Sequence, residues 1–112
     1  MNLLDLMRAP MIVRPVDPDG SVVKEPQEVH VWRGGWRRVE IELHPYRHLW
    51  MWAVSLSFSN GGSGYRVGEK WGRFAESRED ALHYALAELD ERLARHDDPN
   101  IPQIIAWSRA LR

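Results

Sequence analysis

The chain has 112 residues, a mass of 13.1 kDa, 44% hydrophobic and 28% charged residues, and a formal net charge of −1. That length holds one domain, 1–112, which buries roughly 65% of its unfolded surface, and the composition is too apolar for disorder while lacking the long apolar run of a membrane helix. The absence of cysteine excludes a disulfide scaffold, a thiolate nucleophile and any Cys-based zinc or iron–sulfur site.

The opening MNLLDLMRAP places Asp5 inside its apolar stretch and has no basic n-region, so it does not read as a secretory signal, and a cytoplasmic location is expected. Leu3, Leu4 and Met7 suit one short helical turn, ended by Pro10. Met11 to Arg14 reads as a short strand. Asp17-Pro-Asp-Gly20 is a turn, because proline presets φ and glycine accepts φ > 0. Ser21 to Lys24 then reads as the returning arm of a hairpin, and Pro26 confines the next strand to a sheet edge. Glu28 to Trp32 alternates, with Val29 and Val31 on one side, until Gly34-Gly35 breaks it in a tight turn.

Trp36 to Leu43 is a strand with Val39, Ile41 and Leu43 on an apolar face and Arg38, Glu40, Glu42 and His44 on a wet one; Pro45 is expected to end it. In the next strand, Trp50, Trp52, Val54, Leu56 and Phe58 share one face and mark it as central. Met51, Ala53, Ser55 and Ser57 share the other, and their small size leaves room for something to lie close. Ser59 to Gly64 reads as a flexible hairpin loop, and Tyr65 to Phe74 as a strand interrupted by Gly68 and Gly72. Ser77 caps a helix over 78–95, with Glu79 and Asp80 in its first turn and Leu82, Ala85, Leu86, Leu89 and Leu93 at helical spacing. His96 to Asn100 is a break, after which Asn100 and Pro102 open a short final helix.

These elements predict an α+β fold: an antiparallel sheet of four or five strands, with one long helix packed on one face and a short C-terminal helix alongside. The expected core is Val39, Ile41, Leu43, Trp50, Trp52, Val54, Leu56, Phe58, Leu82, Leu86, Leu89 and Leu93.

Charge is segregated. Residues 30–74 are net +4, residues 75–100 net −5, and arginine outnumbers lysine 13 to 2. This could give a dipolar surface, and the arginine excess could reflect either anion recognition or GC-rich coding. The sequence offers little chemistry. His30, His44 and His48 read as turn histidines rather than zinc ligands, since Pro45 puts the pair at a turn. Asp97-Asp98 reads as a solvated loop pair. The Asn60 to Gly64 run lacks the lysine and helix of a P-loop, and no serine sits in a nucleophile elbow. Glu40 and Glu42 fit a cross-strand ion-pair face with Arg38 better than a catalytic pair. No enzyme, cofactor or metal is therefore expected. Trp71 and Trp107 are expected at the sheet–helix boundary.

The candidate contact surface is Trp32, Arg33, Trp36, Arg37 and Arg38, two aromatics and three arginines around a Gly-Gly turn. Three readings stand. The tryptophans fold over the sheet edge, or they anchor a protein partner, or they stack bases while the arginines hold phosphate.

The stretch WMWAVSLSFSNGGSGYR and, above all, Lys70-Trp-Gly-Arg-Phe-Ala-Glu-Ser-Arg-Glu-Asp-Ala81 resemble small uncharacterised proteins carried by bacterial plasmids and integrative elements, over residues 50–95. That resemblance implies a mobile-element accessory and brings no site residues. The strand–strand–helix order also resembles double-stranded-RNA-binding and integrase-arm modules, but those are strongly basic where this helix region is net −5. The expected function is a non-enzymatic interaction or regulatory protein that binds another protein, with homodimerisation open and no membrane partner. The alternative is a nucleic-acid-binding module using a basic sheet and the Arg/Trp hairpin.

Overall fold

The computed structural model describes residues 8–58 and 61–112, so the expected first helical turn lies outside the described residues. The fold is α+β. Among the described residues six strands, β1 (Ile12–Val13), β2 (Glu28–Gly34), β3 (Arg37–Tyr46), β4 (Leu49–Phe58), β5 (Gly61–Ser63) and β6 (Arg73–Phe74), precede helices α1 (Arg78–Leu93) and α2 (Ile101–Arg109). Strands β2-β3-β4-β5 form an antiparallel meander, and β1 pairs with β6 in a separate two-stranded ribbon. No helix among the described residues is long and apolar enough to cross a membrane.

The meander arises from alternation and turns. Two-residue turns join β2 to β3 at Gly35–Trp36 and β3 to β4 at Arg47–His48, which fixes the registers Gly34↔Arg37 and Tyr46↔Leu49. The strand reaches Tyr46, past the expected stop at Pro45. In this register Pro45 sits in a non-hydrogen-bonded pair with Trp50, so its missing N–H faces the side where β2 has already ended. Arg47 adopts φ 57°, a left-handed turn position held without glycine.

One sheet face carries Val39, Ile41, Leu43, Trp52, Val54, Leu56 and Phe58 against Leu82, Leu86, Leu89 and Leu93 of α1 and Ile104 of α2. Of the expected core, only Trp50 is half-buried rather than buried. Ser77 caps α1, its Oγ accepting from the Asp80 amide at 3.0 Å. The helix ends at Leu93, because the amides of Arg95 and His96 bond three residues back and tighten the chain into a turn. Asn100 occupies the N-cap of α2, but its side chain makes no cap bond and turns back to Asp98. Trp107 packs against this core.

The other face is not uniformly wet. Residues 64–74 and 20–23 fold over half of it and bury Leu49, Met51, Ala53, Val67 and Phe74 as a second core. Ser21–Lys24 forms no hairpin arm. Its backbone instead meets this cover, Val23 N donating to Val67 O at 2.7 Å and Lys70 N to Ser21 O at 3.3 Å. The expected strand over 65–74 is a cover segment holding one 3₁₀ turn, Glu69–Trp71, and the short β6. Trp71 therefore lies in the cover, edge-on to Tyr65. Gly61–Ser63 of the expected loop is instead β5, paired with Leu56–Phe58.

Gly35 (φ 64°) and Gly72 (φ 69°) are both left-handed, but only at Gly72 would a Cβ collide, 2.2 Å from Arg14 O. Gly35→Ala should cost about 1 kcal/mol, the left-handed penalty alone. Gly72→Ala should cost at least about 2 kcal/mol because the cover must also shift. Urea-unfolding midpoints of the two variants check the difference.

Candidate interaction surface

The β2–β3 register sorts the five sequence-predicted residues onto different sides. Trp32 opposes Val39, and its indole lies over Gly34 and packs half-buried against the helix-side core. Arg37 lies on that side too. Its guanidinium sits 4.8 Å from the centroid of Trp36, and its Nε donates to Asp98 Oδ2 at 2.8 Å. Asp98 is buried, not solvated as its loop position suggested; Arg37 and the Asn100 amide hold its carboxyl below its ordinary pKa. Trp32 and Arg37 thus anchor the hairpin to the body. Trp36, at the turn, is 59% exposed.

Arg33 and Arg38 oppose each other on the far side of the sheet. Their neighbours there are Val29 and Val31 of β2, Glu40 of β3, and Ser55 and Ser57 of β4, all in register. The cover stops at Ser55, whose Oγ donates to Tyr65 O at 3.4 Å. Beyond it the face lies open, and a groove of about 500 Å³ runs between Arg38, Glu40, Ser55, Ser57 and the Gly61–Gly64 backbone. Val29 and Val31 are 44% and 36% exposed. Alternation alone puts these valines on one side of their strand without joining them to the arginines. The two-residue turn supplies that link, since it sets 29, 31 and 33 against 42, 40 and 38.

Carboxylates occupy much of the basic segment. Arg37 pairs with Asp98 at 2.8 Å, Arg38 with Glu40 at 3.1 Å, Arg66 with Glu42 at 3.6 Å and Arg73 with Glu88 at 2.7 Å. Glu42 departs from its expected wet face. It is buried beneath the cover and accepts the Val67 amide at 2.9 Å. Tyr65 links the cover to α1, donating to Glu88 Oε2 at 2.8 Å while Arg73 donates to the same hydroxyl. Burial, then the Glu88 charge, pushes the Tyr65 phenol well above its ordinary range, so it stays a donor. Among the described residues, no group of three or more His, Asp or Glu is placed to hold a metal ion. His30 faces the helix side and His44 the cover side, where its Nδ1 accepts from Gln27 N at 3.0 Å.

Comparison with protein-family models, curated proteins and solved structures finds no match for this chain.

Glu28 ties the edge strand β2 to α1, accepting from Arg78 at 2.5 and 2.8 Å, with His30 at 2.9 Å. The Arg78 hydrogen bonds lead in lowering its carboxyl from 4.5 to about 2. A carboxyl depressed on folding stabilises above its unfolded pKa, and that contribution fades as pH falls from 4.5 towards 2. Glu28→Gln should cost on the order of 1 kcal/mol at neutral pH, allowing for solvent screening, and nothing below about pH 2. Paired acid titrations of unfolding free energy check it.

Proposed function

We propose that this chain is a non-enzymatic protein-interaction module whose docking surface is the open half of the sheet face and the β2–β3 hairpin tip. The observation that carries this reading is the contiguity of exposed Val29, Val31 and Arg33 beside Arg38, with Trp36 exposed at the turn. An apolar strip ending in arginine and tryptophan has the composition of a protein-binding anchor. A phosphate backbone would need several unengaged cations. Here Arg37, Arg38, Arg66 and Arg73 already face carboxylates, which weighs against the nucleic-acid reading. A role as accessory to a plasmid or integrative element fits such a module and belongs to the same proposal.

Arg37→Glu would set a carboxylate against Asp98 and disturb the fold. Arg33→Glu combined with Trp36→Ser alters only exposed positions. The double variant should unfold within about 0.5 kcal/mol of the wild type and lose the protein that the wild-type chain captures from its native host. Wild-type binding should weaken only modestly from low to physiological salt. Capture of a nucleic acid whose affinity collapses over that range, or full capture by the double variant, would contradict the proposal.

A further inference from the structure

The two edges of the four-stranded sheet are treated differently. The β4–β5 edge is guarded at several points. Ala75 exchanges two backbone hydrogen bonds with Trp50, at 2.9 and 2.8 Å. Arg92 of α1 donates to Val54 O and Ser63 O, both at 2.6 Å. β5 itself is only three residues long. Among the described residues the β2 edge has none of these devices. It runs seven residues, Glu28 to Gly34, in unbroken register with β3, without bulge, proline or lysine. Among the described residues no strand pairs with its outer side. Long, flat, unguarded edges of this kind are templates for another strand.

The turn fixes which backbone groups point outward. A two-residue hairpin makes its flanking pair, Gly34 and Arg37, hydrogen-bonded, and pairing alternates from there. The pairs Arg33–Arg38, Val31–Glu40 and Val29–Glu42 are therefore non-hydrogen-bonded, and Val29, Val31 and Arg33 direct their N–H and C=O groups to the free edge.

We propose that a second copy of this chain occupies this edge, its β2 adding antiparallel to form one continuous eight-stranded sheet about a two-fold axis. A perpendicular two-fold must bring residues of the same face opposite each other, so it passes through a residue and not between two. Only the register centred on Val31 keeps all three outward-facing residues paired within β2: Val31 meets its own mate, and Val29 meets Arg33 in both directions. No like charges then oppose each other. On the open face the pairs are Val–Val and Val–Arg; on the helix face His30 meets Trp32 and Glu28 meets Gly34. The exposed valines gain apolar neighbours, and the two open faces join into one platform. The contact is one strand wide, which places it at the small end of specific interfaces and makes a concentration-dependent equilibrium the expected behaviour.

Dimerisation and docking are separable, because Trp36 lies at the turn outside β2, so Trp36→Ser alone tests capture of a different protein without altering any pair of the proposed dimer. The test of the dimer uses charge at the two-fold. Sedimentation equilibrium of the wild type should show a monomer–dimer equilibrium in the micromolar to sub-millimolar range. Val31→Lys and Val31→Glu each place like charges face to face and should weaken it at least about tenfold. An equimolar mixture of the two should restore dimers. Should either variant fail to fold, amide exchange of the wild type serves instead: protection of Val29, Val31 and Arg33 should rise with protein concentration, while that of His30 and Trp32, already bonded to β3, should not. A wild type monomeric throughout, variants that dimerise unchanged, a mixture that stays monomeric, or protection without this alternation would each overturn the proposal.

Discussion

Strand β4 is apolar on both faces, and the rest of the molecule is arranged to cover it. Trp52, Val54, Leu56 and Phe58 need a helix above them, while Leu49, Met51 and Ala53 need a second layer below. Helix α1 supplies the first with its leucine stripe. Residues 64–74 supply the second, with glycines where the backbones press together and Val67 and Phe74 as the inserted side chains. The demand stops at Ser55 and Ser57, whose small polar side chains can stay wet. So does the cover. The open half-face is thus a direct consequence of where β4 changes from apolar to polar on its second side.

The segregated charges of the sequence become short-range ties in the fold. The basic middle and the acidic helix region, which could have formed opposite poles, meet as Arg73–Glu88 and Arg37–Asp98, and Arg78–Glu28 adds a third tie. Each joins a part of the sheet or its cover to the helical layer. Partly buried pairs with several hydrogen bonds hold geometry better than exposed ones, although their net energy is modest. The same pairing engages much of the positive charge of the basic segment, while Arg33 and Arg38 stay exposed beside the valines.

Much of the fold was legible because its signals are local. The alternation in 36–43 and 49–58, the Ser77 cap and the leucine spacing of α1 depend on neighbours in sequence. The cover was not legible, because Val67 and Phe74 read as strand residues until one knows that β4 needs a second layer. Glu42 looked like a surface carboxylate for the same reason: its burial depends on the Val67 amide arriving from 25 residues away. The candidate surface was half legible. Composition marked the hairpin, but a Trp/Arg cluster says nothing about direction. Only the register separates Trp32 and Arg37, which hold the hairpin down, from Arg33, Trp36 and Arg38, which face solvent.

The division of one sheet face into a covered and an open half can be measured directly, because the chain contains no cysteine. Single cysteines placed by Ala53→Cys and Ser57→Cys lie on the same face of the same strand, four residues apart. Thiol reactivity follows exposure once the thiolate is accessible. With a small alkylating reagent under native conditions, the cysteine from Ser57→Cys should react at nearly the rate seen in denaturant. That from Ala53→Cys, beneath the cover, should react orders of magnitude more slowly. Equal native rates at the two positions would mean that the face is either wholly covered or wholly open, and that no edge of the cover defines an interaction surface.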